Sequence, residues 1–339
     1  MRLLVTGGAG YVGSVVASEL IAAGHRVTVL DDLSTGHADA VPSGAELVRT
    51  SLTEAGAVLA GGDYAAVLHF AAKSLVPESV AAPQLYWADN VGGTLALLEA
   101  MRAAGVRRLV FSSTAATYGE PDTVPIEEDA PARPANPYGA SKLAVDHMLV
   151  GYAAAYGFRA VSLRYFNVAG AKLTGDRPTG DRPTGDRPTG DRPLGERHTT
   201  ETHLIPIALQ VAAGRRPVLR IHGTGYPTPD GTCIRDYIHI LDLADAHLRA
   251  LDRTGSEPGH LVCNLGSGTG ASVREVAETV RRVTGRPTPT VDAANRAGDP
   301  AVLIASHERA HRLLGWRPTR DLSQMVADAW QFARRASDG

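Results

Sequence analysis

Thr6-Gly7-Gly8-Ala9-Gly10-Tyr11-Val12-Gly13 follows an apolar run, Arg2-Leu3-Leu4-Val5, and opens a segment in which Val12, Val15, Val16, Leu20 and Ala23 recur at helical spacing. Strand, glycine-rich turn and helix in this order describe a pyrophosphate cradle. Glycines let the chain turn tightly, and phosphate oxygens approach where a Cβ would otherwise stand. The helix start adds free N–H groups that face negative charge. Gly24 suits a left-handed helix end. Val27-Thr28-Val29-Leu30 reads as a second strand, and Asp31 stands at its end. A carboxylate there accepts hydrogen bonds from both hydroxyls of an adenosine ribose and repels a 2′-phosphate, which selects NAD over NADP.

Strand and helix keep alternating beyond this unit. Strands are expected over Ala66–Phe70, Arg108–Ser113 and Arg159–Tyr165, with helices from about Pro83 to Ala104 and from Asn136 to Tyr156. The pattern predicts an α/β fold, a doubly wound parallel sheet with helices on both faces. Ligands bind at the carboxyl ends of such strands. Ala71-Ala72-Lys73, Ser113-Thr114-Ala115 and Phe166-Asn167 should therefore converge. Residues 1–171 are expected to form this dinucleotide-binding domain. Residues 198–339 are expected to form a smaller mixed α/β substrate lobe, with helices over Leu204–Ala213, Val273–Thr284 and Thr319–Arg335. The connecting segment, 172–197, carries Thr-Gly-Asp-Arg-Pro four times in tandem from Thr174 to Pro193. Each copy has one charge of either sign and no apolar group to offset the entropy of ordering. A solvated, mobile loop is expected, either an inert spacer or a lid.

The chain has 339 residues, 44% of them hydrophobic, enough for one large domain or two smaller ones with real cores. Its net charge of −2 gives no reason to expect nucleic acid or an anionic membrane as partner. Cys233 and Cys263 lie far apart and match no disulfide or metal spacing, and no His/Asp/Glu cluster shows metal-ligand spacing, so no metal is expected. There is no signal-like opening segment, and no run reaches the roughly 18 apolar residues of a membrane span. A soluble cytoplasmic protein is expected.

Tyr138-Gly139-Ala140-Ser141-Lys142 is the candidate catalytic centre. Tyr138 and Lys142, at i and i+4, share one helix face. A free phenol titrates near 10 and is a poor base at neutral pH. The ammonium of Lys142, and a bound nicotinamide cation, are expected to pull that value down. Asn136-Pro137 suits the helix start. Ser112-Ser113-Thr114 ends the preceding strand, where a hydroxyl can bond a reacting oxygen and pass its proton to Tyr138. His69 and His239, in apolar strands, read as satisfied core histidines.

With these motifs in place the chain resembles the extended short-chain dehydrogenase/reductase superfamily and, within it, the UDP-glucose 4-epimerase family. The resemblance rests on the glycine-rich turn, His69-Phe70-Ala71-Ala72-Lys73, Asn90-Val91-Gly92-Gly93-Thr94 and Ser112-Ser113-Thr114-Ala115-Ala116-Thr117-Tyr118-Gly119. It extends through Asn136-Pro137-Tyr138-Gly139, Arg164-Tyr165-Phe166-Asn167, Arg235-Asp236-Tyr237-Ile238-His239 and Arg296-Ala297-Gly298-Asp299-Pro300. It implies a Rossmann-type fold, a homodimer, and interconversion of UDP-glucose and UDP-galactose by transient oxidation at sugar C4 with bound NAD. Tyr138, Lys142 and Thr114 would be catalytic.

The resemblance places NAD against Gly7, Gly10, Tyr11, Val12, Gly13, Asp31, Ser51, Leu52, Phe70, Ala71, Lys73, Asn90, Ser112, Tyr138, Lys142 and Tyr165. It places the UDP-sugar against Thr114, Tyr138, Asn167, His203, Leu204, Arg235, Arg296, Asp299 and Leu303. Arg235 and Arg296 would grip the diphosphate, although Arg235 could instead pair with its neighbour Asp236. Asp299 would meet the uridine ribose, and Leu303 would wall the sugar C2 substituent. Ser51 stands where relatives carry an aspartate on the adenine amino group, which implies weaker NAD retention. Two alternatives remain. Another nucleotide-sugar epimerase or a 4,6-dehydratase is one, but dehydratases carry Asp-Glu after the active-site threonine and this chain has Ala115-Ala116. A non-catalytic NAD-binding sensor is the other, but such proteins lose the Tyr/Lys pair.

Overall fold

The computed structural model describes residues 1–174, 192–198, 200–295 and 299–335. Arg296 and most of the pentapeptide repeat lie outside the described residues. Seven strands form one parallel sheet: β1 (Arg2–Thr6), β2 (Arg26–Asp31), β3 (Ala45–Arg49), β4 (Ala66–His69), β5 (Arg108–Thr114), β6 (Arg159–Tyr165) and β7 (Gly259–Leu265). Their order is β7-β6-β5-β4-β1-β2-β3. The chain winds outward from β1 in both directions, so the sheet has its topological switch between β1 and β4.

Both faces of the sheet are covered, which is why its central strands are apolar throughout. On one face Val15, Val16 and Leu20 of helix α1 (Tyr11–Ala22) pack with Leu243, Leu248 and Leu251 of a helix over Ile240–Arg253. On the other, Leu97, Leu98 and Met101 pack with Val145 and Leu149 of helix α2 (Pro137–Tyr156). The Ile240–Arg253 helix and β7 come from the second half of the chain. The sheet therefore draws on both sides of residue 171, and the expected boundary there does not divide the two lobes in sequence. Parallel strands need crossovers, and this last one is made by chain expected in the substrate lobe.

Two helices depart from expectation. The single helix expected from Pro83 to Ala104 is a helix over Pro83–Tyr86, a π-helical turn over Trp87–Gly92 and a helix over Gly93–Ala103. The widened turn carries Asn90, whose amide is drawn inward to the Lys73 backbone and the Ser141 hydroxyl. The last helix spans Leu322–Arg335 rather than starting at Thr319. The amides of Thr319 and Arg320 are instead held by the carboxylate of buried Asp242, at 2.9 Å each.

Candidate functional site

The glycine-rich turn joins the end of β1 to α1. Gly7 adopts φ +72°, and a Cβ there would lie 2.4 Å from the Ala71 amide nitrogen. A Cβ on Gly13 would lie 2.2 Å from the Gly7 carbonyl oxygen. The turn is thus pressed against both the Phe70-Ala71 segment and its own helix. Gly10 caps α1 without a side-chain hydrogen bond, and the first turn carries no acidic residue. The amides of Tyr11, Val12 and Gly13 are left facing outward from the helix start, as anion binding requires. Gly13→Ala is expected to destabilise the fold by about 1–3 kcal/mol and to weaken NAD binding, because neither backbone can give way. Thermal melting and a fluorescence titration with NAD check this.

Asp31 ends β2 and is buried. Its Oδ2 accepts from the Ala9 amide and its Oδ1 from the Leu33 amide, each at 2.9 Å. An ionised carboxylate offers about four acceptor sites, so capacity remains for two ribose hydroxyls. The Thr50 amide donates to the Asp31 carbonyl at 3.1 Å, which brings the β3 end and Ser51-Leu52 beside the same corner. Ser51 is exposed, with its hydroxyl 2.6 Å from that of Thr53. Across the switch point, the amides of Phe70 and Ala71 both bond the Thr6 carbonyl, at 2.9 and 3.1 Å. His69 is a satisfied core histidine as expected, 2.7 Å from Thr6 Oγ1 and 2.8 Å from Thr94 Oγ1. Burial, together with the charge of Lys142, pushes its pKa down to about 3. His239 is satisfied too, by the Leu241 amide and by Asp328.

Asn136 caps α2, its Oδ1 accepting from the Gly139 amide at 2.9 Å, with Pro137 in the first turn. Gly139 is required by proximity: a Cβ there would lie 2.3 Å from the Ala116 carbonyl oxygen. That contact seats the helix against the turn after β5, and so sets Tyr138 beside Thr114. Tyr138 is half-buried, its ring edge-on to Tyr86 with centroids 6.3 Å apart. Lys142 is buried, its Nζ donating to the Ser112 carbonyl at 2.8 Å and lying 4.8 Å from the centre of the Phe111 ring. Ser112 Oγ is hydrogen-bonded to the Tyr165 hydroxyl.

The electrostatics here differ from expectation. Burial holds the Tyr138 phenol above its ordinary value, opposed by a hydrogen bond with Thr114. Lys142 does not offset that burial. Its own pKa is pushed down to about 7 by burial, with Asp146 opposing. Removing both groups from water favours the neutral form of each. In the protein alone Tyr138 stays protonated at neutral pH.

The substrate-lobe residues converge on the same end of the sheet. Asn167–Ala169 pairs in parallel with Tyr237–His239, in register Asn167 to Tyr237. Ile234–Arg235 pairs in parallel with Val302–Leu303, which sets Leu303 beside Arg235. Arg235 does not pair with Asp236. That carboxylate is buried and accepts from the amides of Ser267, Gly268 and Ala305. Arg235 instead bonds Asp299, so two expected substrate residues meet as an ion pair. Leu303 packs against the apolar cluster of Ala115, Tyr118, Ile126, Phe166 and Ala305, whose Ala115 follows Thr114 in the chain.

The chain is similar over nearly its whole length to proteins of known name. The family described as GDP-mannose 4,6 dehydratase matches residues 4–329. A UDP-glucose 4-epimerase of Streptomyces lividans is 56% identical, covering 98% of this chain and 95% of that protein. The chain belongs to the UDP-glucose 4-epimerase family. The crystal structure of UDP-glucose 4-epimerase from Brucella ovis in complex with NAD superposes with a TM-score of 0.89 at 44% identity, covering 98% of each chain. That from Bifidobacterium longum in complex with NAD+ and UDP gives 0.89 at 32% identity, covering 100% of each. Among the epimerase family's relatives by fold, the dehydratase description does not suit the chemistry here, since Ala115 and Ala116 cannot move protons.

One grouping reaches beyond the expected site, which took in only its His203. Glu196, His198, Glu201 and His203 bring one ligand atom each to within 4.8 Å of one another. The absence of metal-ligand spacing expected from the sequence is therefore corrected. Glu-x-His-x-x-Glu-x-His was the signal in the sequence, and none of the four residues stands in a helix or strand. His203 itself is half exposed, and its Nδ1 bonds Glu196 rather than facing away from it.

Proposed function

We propose that the protein interconverts UDP-glucose and UDP-galactose by transient oxidation at sugar C4 and return of the hydride to the opposite face. The observation that carries this reading is the placing of Tyr138 beside Thr114 at the carboxyl end of β5, above a glycine cradle and Asp31 suited to NAD. NAD supplies a reversible hydride acceptor when bound; the amides at the α1 start and Asp31 would hold its pyrophosphate and adenosine ribose. Lys73, Asn90, Ser112, Lys142 and Tyr165 would border its nicotinamide half. Thr114 and Tyr138 would share the proton of the sugar 4-hydroxyl, with Tyr138 as base on oxidation and acid on reduction. Arg235 would exchange its bond with Asp299 for the substrate diphosphate, and Asp299 would then be free to meet the uridine ribose. Asn167, His203, Leu204 and Arg296 complete the proposed substrate contacts.

Two further readings rest on this one. Val80, Trp87, Leu95 and Val150 are exposed apolar residues on neighbouring helices around α2, and we assign this face to a second copy in a homodimer. No described helix is long and apolar enough to cross a membrane, and Cys233 and Cys263 are buried thiols not joined in a disulfide. Both fit a reduced cytoplasm.

The test is incubation of purified protein with UDP-galactose and with UDP-N-acetylgalactosamine, products resolved chromatographically. Strong conversion of the first and weak conversion of the second is expected; no 4-epimer from either overturns the reading. Leu303→Ser is expected to raise kcat/KM for the N-acetylated substrate selectively, since one wall contact is worth about 1–3 kcal/mol of discrimination. An unchanged ratio would show that Leu303 is not the gate.

A further inference from the structure

We propose that Glu196, His198, Glu201 and His203 form a closed site for one divalent transition-metal ion of the zinc class. Four ligands at about 2.0–2.1 Å around one tetrahedral ion lie about 3.3 Å from one another. His198 Nδ1 lies 3.2 Å from Glu196 Oε1 and 3.5 Å from Glu201 Oε2, and His203 Nδ1 lies 3.6 Å from Glu201 Oε1. The remaining contact, His203 with Glu196, is closer still. Two imidazoles with two carboxylates suit zinc, whereas calcium takes six to eight oxygens.

The carboxylates are not surface groups that happen to cluster. Their side chains are only 8% and 7% exposed, and burying two anions together requires positive charge between them. Glu201 is also oriented in advance: its Oε1 accepts from the Thr202 and His203 amides at 2.9 and 2.8 Å. Such outer hydrogen bonds orient metal-binding carboxylates. The segment is braced at both sides. Arg197 pairs with Asp39 at 2.9 Å, and Leu194–Gly195 pairs with Ala171–Lys172. His203 directly precedes the helix over Leu204–Ala212. With four protein ligands the site has no open position, so its role is to fix this helix start against the dinucleotide lobe, not to do chemistry. The inference does not depend on the epimerase reading.

The full-length protein, dialysed against chelator, is titrated with Co2+ alone and followed by visible absorption, then with Zn2+ in competition. One equivalent of Co2+ should bind with the intense visible bands of tetrahedral geometry, and Zn2+ should displace it and raise the melting temperature. His198→Asn and Glu201→Gln, each checked for folding by circular dichroism, should weaken binding at least tenfold. No saturable uptake by the wild-type chain overturns the proposal. So does uptake at wild-type affinity by both variants, which would place the ion on other histidines.

Discussion

Tyr138→Phe is expected to lower kcat by about 10²- to 10⁴-fold while leaving NAD affinity unchanged. The ring is packed edge-on against Tyr86 and seated by the tight Gly139–Ala116 approach, so phenylalanine fills the same space. Only the hydroxyl that meets Thr114 is lost. The structure adds a second expectation. Because burial holds the phenol above its ordinary value, ligand-free protein should show no Tyr138 ionisation at neutral pH. Ultraviolet difference titration of wild-type against Tyr138→Phe measures this directly. Turnover by the variant near the wild-type rate would remove Tyr138 from the mechanism.

Lys142→Met should also lose turnover, by about 100-fold or more, yet stabilise the ligand-free fold at neutral pH. The lysine is buried and its pKa falls to about 7 in the folded state, against an ordinary value of 10.5. Between those values the unfolded chain binds a proton that the folded chain lacks. Stability therefore falls as pH drops from about 10 to about 7, then levels off. Methionine removes this dependence while keeping much of the volume. The stability difference between variant and wild type should be small near pH 10 and grow towards pH 7. Urea unfolding at both pH values reads it, and an equal difference at the two would show that the fold does not lower the Lys142 pKa. A buried amine that costs stability and is kept is what functional placement of Lys142 looks like.

Local chemistry was legible in the sequence wherever one segment held the whole signal. The β1–turn–α1 unit, Asp31 at its strand end, the Asn136 cap and the Tyr138/Lys142 spacing depend on residues within a few positions of one another, and chain geometry alone places them. The alternation of apolar strands with helices likewise defined the parallel sheet. What the sequence could not decide depended on partners distant along the chain. β7 and the Ile240–Arg253 helix complete a sheet begun 250 residues earlier, roughly, because a right-handed crossover is set by packing and not by spacing. Asp242 takes the amides of Thr319 and Arg320 and so delays a helix whose periodicity starts sooner. Asp236 is claimed by three backbone amides, which leaves Arg235 to Asp299. Glu196, His198, Glu201 and His203 bring their ligand atoms together outside any helix or strand, where no regular spacing announces it. The sign of the Tyr138 shift was decided in the same way. The i, i+4 spacing gave Lys142 the reach to act on the phenol, but burial of both groups, a property of the assembled fold alone, outweighed it.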